Sequence, residues 1–121
     1  PNRGILEHAT IHHHETNRVC ADVIEVYLMI ADDCLQDFSF DGYMSIVATA
    51  TTAIVGEAVT GLSVDEILSY DEDFVRSLIG DGISPRRRNA SLMGLLAIKN
   101  ALHTYRADGR REDFLDIQVE K

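Results

Sequence analysis

At 121 residues, 45% apolar and 26% charged, the chain is sized for one domain, 1–121, whose core needs no disulfide framework or structural metal. A formal charge of −9 opposes binding to nucleic-acid phosphates but leaves room for a basic protein partner. Two cysteines, the absence of any apolar run near the roughly 18 residues of a membrane span, and no leader pattern at the start point to a cytoplasmic protein that binds no membrane, although a start at Pro1 leaves room for a preceding segment.

Gly4 to Ile11 is compatible with a short helix or a strand, and His12-His13-His14 reads as native sequence within its flanks. Asn17 to Asp22 then sets a thiol, Cys20, and a carboxylate, Asp22, two residues apart. Directly after them, Val23 to Ile30 carries Ile24, Val26, Leu28 and Ile30 at period two, which predicts a strand. Ala31 to Cys34 reads as a turn, its aspartates suited to bonding nearby backbone. Leu35 to Phe40 alternates Phe38 and Phe40 with polar residues and predicts an antiparallel partner ending at Asp41-Gly42.

From Ser45 the period lengthens. Val47, Ala50, Ile54 and Ala58, flanked by Ile46 and Ala53, predict a helix with that stripe, ending near Gly61. Ser63 with Glu66 forms a capping-box pattern for a short helix to about Tyr70, and Asp71 to Asp73 opens another through Leu78. Ser84-Pro85 reads as cap and first residue of a last long helix, with Leu95, Ile98, Leu102 and Tyr105 on its stripe. The order predicts an α+β domain: a small antiparallel three-stranded sheet first, then helices packed on one face.

Four stretches in this order resemble the N-terminal family of IscU/NifU iron–sulfur cluster assembly scaffolds, including its SufU branch. They are Gly4-Ile5-Leu6 followed by Asn17 and Cys20-Ala21-Asp22; Phe40-Asp41-Gly42 with the small-residue helix after it; Glu57 to Gly61; and Pro85 to Leu92. The resemblance implies a NifU-like fold, no enzymatic activity of its own, an iron–sulfur cluster or zinc as cargo, and sulfur acceptance from a cysteine desulfurase. It matches Cys20 and Asp22 to the first ligand cysteine and its neighbouring aspartate. Ser45 and Ala90 occupy the other two cysteine positions, and Asn89 the position before the third. A serine hydroxyl stays protonated near neutrality and alanine has no donor, whereas clusters and structural zinc are held by thiolates.

The matching residues therefore carry two readings: a metal- or sulfur-handling scaffold with an incomplete ligand set, or an adaptor that kept the scaffold surface and lost cluster binding. Cys20 reads as sulfur acceptor, surviving ligand or retained loop residue, and Cys34 matches no ligand position. If the His12–His14 run is a strand, His12 and His14 share a face and become candidate replacement ligands beside Cys20 and Asp22, with exposed polar residues as the alternative. His103 reads as a packing or surface residue on the last helix. Pro85, Arg86, Arg87 and Arg88 match the family's loop for an Hsp70-type chaperone, so they are either a docking site or a locally paired basic patch that opposes the helix dipole.

Overall fold

Period-two alternation decides the middle of the molecule. In β2 (Asp22–Ala31) the residues Asp22, Ile24, Val26, Leu28 and Ile30 are buried, and the residues between them look the other way. β1 (Ile11–Asn17) and β3 (Cys34–Tyr43) flank it, both antiparallel, giving the sheet order β1-β2-β3. Asp32 and Asp33, at φ 53° and 57°, form the two-residue turn between β2 and β3. Such a turn needs left-handed backbone at both positions, which aspartate tolerates better than most residues. This computed structural model describes residues 3–18 and 21–120.

The residues before β1 form neither the helix nor the strand considered for them. Arg3 makes an isolated bridge to Phe40, and the rest up to Thr10 is irregular. All the helices lie after the sheet: α1 (Ile46–Val59), α2 (Val64–Leu68), α3 (Glu72–Ile79), α4 (Arg88–Arg106) and α5 (Phe114–Ile117). The sheet buries its Ile24, Val26, Leu28, Phe38 and Phe40 against this layer, within one core cluster with Leu92, Leu95, Leu96 and Ile98 of α4.

α1 forms where expected but turns a different face inward. Its buried residues are Ala48, Thr51, Thr52, Val55, Gly56 and Val59, while Ile46 and Ile54 are exposed. The reason is close approach to α4: a Cβ on Gly94 would sit 2.7 Å from Thr52 Oγ1 and 2.9 Å from its Cα. Small residues therefore face α4, and the larger Ile46 and Ile54 are left outside. Half of the capping box forms, with Ser63 Oγ accepting from Glu66 N–H at 3.1 Å. The Glu66 carboxylate accepts from Tyr70 Oη at 2.6 Å instead of reaching back. Ser84 makes no side-chain cap; Pro85–Arg87 form a 3₁₀ turn that leads into α4. Leu95, Ile98 and Leu102 are wholly buried, and Tyr105 sits at the surface. α4 is in fact buried on every side from Ala90 to His103.

Candidate functional site

The start of β2, the end of β1 and the start of α1 meet at Asp22. Its side chain points inward because even-numbered β2 residues do, and it is 2% exposed. Oδ1 accepts from the Ser45 backbone N–H at 2.8 Å, and Oδ2 accepts from Asn17 Nδ2 at 3.4 Å. Ser45 is the N-cap of α1, with its Oγ accepting from Ala48 N–H at 3.1 Å. Ala21, just before Asp22, holds a left-handed φ of 57°. Asn17, Asp22 and Ser45 thus form one joint, tying the end of β1 and the start of β2 to the head of α1.

Ala90 is buried in the first turn of α4 and offers only a methyl group. Its neighbour Asn89 accepts from Gln118 Nε2 at 2.9 Å. Asn89 lines, with Asn17, Arg18, Arg111 and Phe114, a cavity of about 350 Å³, so the neighbour of Ala90 and the end of β1 border the same space. Cys20 lies outside the described residues. What the described part of the site contributes is a carboxylate with both oxygens engaged, a hydroxyl used as a cap, and a methyl. That set does not fit a cluster or zinc ion held by thiolates.

The structure does not bring His12 and His14 to this joint. Odd-numbered β1 residues face the core with Asn17, whereas His12 and His14 lie on the opposite, outer face of the sheet. There both turn to Glu25, His14 Nδ1 at 2.8 Å and His12 Nδ1 at 3.5 Å, and the His12 ring stacks on Tyr27 with centroids 5.8 Å apart. Among the described residues, no group of three or more His, Cys, Asp or Glu is arranged to hold a metal ion. Cys34 opens β3 at the opposite end of the hairpin from Asp22.

The basic run divides. Arg86 and Arg87 are exposed on the 3₁₀ turn beside Pro85. Arg88 instead makes a two-pronged bond to Glu72, Nε to Oε2 at 2.8 Å and Nη2 to Oε1 at 2.5 Å, and donates to the Val119 carbonyl at 3.0 Å. The Arg88 hydrogen bonds hold the Glu72 carboxyl below its ordinary range; burial opposes this, and the Val119 N–H and the Arg88 and Arg76 charges reinforce it. Arg88 is thus part of the frame, joining α3, α4 and the C-terminal segment. Large apolar residues stand free on both sides of Ser45: Tyr43 is 86% exposed and Ile46 88%.

Sequence reasoning missed a buried polar network. Lys99, Asn100 and His103 of α4 meet Glu15 of β1 and Glu112 of the segment before α5. The available signal was apolar residues all round α4, which implies a helix buried on every side, whose polar residues must then find partners.

A family profile described as NifU-like N terminal domain matches residues 1–112. The chain belongs to that family. Among its relatives, the iron–sulfur cluster assembly scaffold protein IscU 1 of Archaeoglobus fulgidus is 26% identical over 106 residues, 87% of this chain and 69% of that protein. The iron–sulfur cluster assembly scaffold protein IscU of Thermotoga maritima is 29% identical over 92 residues, 75% of this chain and 65% of that one. A crystal structure of a nitrogen-fixing NifU-like protein, N-terminal part, from Brucella abortus superposes with a TM-score of 0.72 at 17% identity, covering 89% of this chain and 87% of its own. At that identity the superposition speaks for the fold, and it agrees with the α+β arrangement of a three-stranded antiparallel sheet followed by helices.

Proposed function

We propose that this NifU-like chain works in iron–sulfur cluster assembly as a scaffold homologue with an incomplete ligand set. In this reading it is not an enzyme; it receives sulfur from a cysteine desulfurase through Cys20 and acts in the cytoplasm. The observation that carries the reading is the family match over residues 1–112, with Cys20 and Asp22 falling where the resemblance sets the first ligand pair. Cluster or zinc is cargo here. With a serine and an alanine at the other two positions, stable loading requires donors from a second chain or a partner. Arg86 and Arg87, exposed beside Pro85, are the residues left available for an Hsp70-type chaperone, while Arg88 is committed to Glu72.

One observation favours a second reading, an adaptor that kept the scaffold surface without cluster binding. Both Asp22 oxygens already accept, from the Ser45 N–H and Asn17 Nδ2, so a metal ion there competes with the joint for the carboxylate's remaining lone pairs.

Metal analysis of freshly purified protein, followed by an absorption spectrum after anaerobic addition of iron and sulfide, separates the two. A stoichiometric metal or a visible cluster absorption that disappears in Cys20→Ala supports the scaffold. Neither metal nor absorption, together with retained binding to a cysteine desulfurase, leaves the adaptor.

A further inference from the structure

α1 is apolar or weakly polar all round, yet only one of its faces is covered. Glu57 is the one charged residue among its 14. Ala48, Thr52, Val55 and Val59 turn inward. The opposite face carries Ile46, 88% exposed, Ala50, also exposed, and Ile54, 43% exposed. A helix without a polar face is ordinarily buried on every side. α4 is buried in that way from Ala90 to His103, and α1 is not.

We propose that two copies of this chain pair through α1, antiparallel, about a twofold axis at Ala50. Ile46, Ala50 and Ile54 are spaced by four and form one ridge, with its small residue in the middle. The ridge is the same in either direction: large, small, large. Two antiparallel copies therefore seat Ile46 of each against Ile54 of the other, while the two alanines let the backbones approach at the crossing. This is the self-complementarity that a twofold interface requires, and ridges of this row interdigitate at a crossing angle of about −50°. A helix of some other protein meets the same apolar ridge, but only a second copy brings a matching small residue to the same place. Charge agrees. Glu57 lies seven residues past Ala50, about 10 Å along the axis. The two Glu57 carboxylates of the pair then stand at opposite ends, about 20 Å apart, beyond the screening length of about 8 Å. Both stay at the rim, in water.

The pairing does not pool two ligand sets, because the two Ser45 residues fall on opposite sides of the axis. It covers Ile46, directly after the Ser45 cap. The paired chain thus hides that rim of the candidate site, and the single chain shows it. One helix face buries less than the about 800 Å² per partner of a standard interface. The pair is therefore weak, and concentration sets how much of it forms.

Sedimentation velocity of the whole chain from about 5 to about 500 μM tests this. The mass is expected to rise from that of one chain toward that of two. It should rise further as salt goes from about 0.05 to about 0.5 M, because two chains of charge −9 repel and salt screens the repulsion. Ala50→Glu sets two carboxylates together on the axis and is expected to stay monomeric throughout, with its melting unchanged because the position is exposed. A cysteine pair decides independently of that variant's folding. With Cys20 and Cys34 replaced by serine, Ala50→Cys is expected to cross-link to itself under oxidation and Glu57→Cys is not, since a disulfide needs Cα atoms within about 7 Å. A native chain that is monomeric at about 500 μM, a dimer that survives Ala50→Glu, or cross-linking at Glu57 equal to that at Ala50 overturns the pairing.

Discussion

Asp22, which the resemblance matches to a ligand position, does the work of a structural clamp in this structure. Its two oxygens satisfy the Ser45 N–H at the head of α1 and the Asn17 amide. Both donors are left without this partner when the side chain is shortened. Asp22→Ala is therefore expected to cost about 1–3 kcal/mol, the usual range for a buried donor left unpaired. Asp22→Asn, which can still accept from Ser45 through its carbonyl oxygen, is expected to cost less. Urea unfolding of the two variants measures the difference; equal losses would mean that charge, rather than the bond to Ser45, is what the position supplies. The same geometry leads to a second test at this scale. If the family's site layout survives, Ser45→Cys with Ala90→Cys returns thiols to both vacated positions. The double variant is expected to bind about one zinc per chain and to hold it more tightly than the native chain. The lost Ser45 cap costs about 0.5–2 kcal/mol in the metal-free form. Metal content after dialysis reads the result, and a double variant that folds yet stays metal-free shows that the layout has drifted.

At the scale of elements, what could be read from the chain depended on contrast between neighbouring residues. β2 was legible because β-branched and aromatic residues crowd Val23 to Ile30, and β3 because Phe38 and Phe40 alternate with polar residues. The face of α1 was not, because its alanines and threonines differ little in polarity, and only the approach of Gly94 decides which of them turns inward. The inner role of Asn17 followed from strand parity once β1 was placed, but nothing near it in sequence announced Ser45 as its neighbour. Lys99, Asn100 and His103 gave no local sign of a network because their partners lie elsewhere in the chain: Glu15 on β1, and Asp108 and Glu112 beyond the end of α4. The Glu72–Arg88 pair is of the same kind, joining α3 to α4 across a long separation, and it gives the fold a definite acid response. The Glu72 carboxyl sits below its ordinary value of 4.5 in the folded chain, chiefly through the Arg88 hydrogen bonds. Its contribution is then fully present above that value and is lost as the pH falls through the lower, folded one. Burial pushes the Glu15 carboxyl up, but the His13 and Asn100 hydrogen bonds and the Arg111 and His13 charges outweigh it, so its contribution has the same sign. Glu72→Gln is expected to be less stable than the native chain at about pH 6 by about 1–3 kcal/mol. The gap should narrow as the pH falls toward about 3, while a native slope from Glu15 remains. Thermal melts of both proteins across that range measure it, and a constant gap would place the stabilisation in packing instead of ionisation.

At the scale of the molecule, the ligand positions and the exposed surface divide the functional question between them. The site end carries Tyr43 and Ile46, 86% and 88% exposed, on either side of Ser45. An acidic chain that leaves two large apolar side chains at one rim presents a contact spot that carries no charge of its own. Arg86 and Arg87 form a separate, cationic spot on the turn before α4. Two partners can in that case be told apart by substitution. Changing both Tyr43 and Ile46 to serine should leave stability within about 0.5 kcal/mol, since nothing buried is touched. It should weaken capture by a cysteine desulfurase by at least about tenfold, as the loss of interface anchors does. Arg86→Glu with Arg87→Glu should leave desulfurase capture intact and remove binding to an Hsp70-type chaperone. Retained binding of both partners in both double variants would detach these two spots from partner docking and move the contacts to another part of the chain. Selective loss in each variant, with no metal bound by the native chain, would describe a scaffold surface at work without a scaffold's cargo.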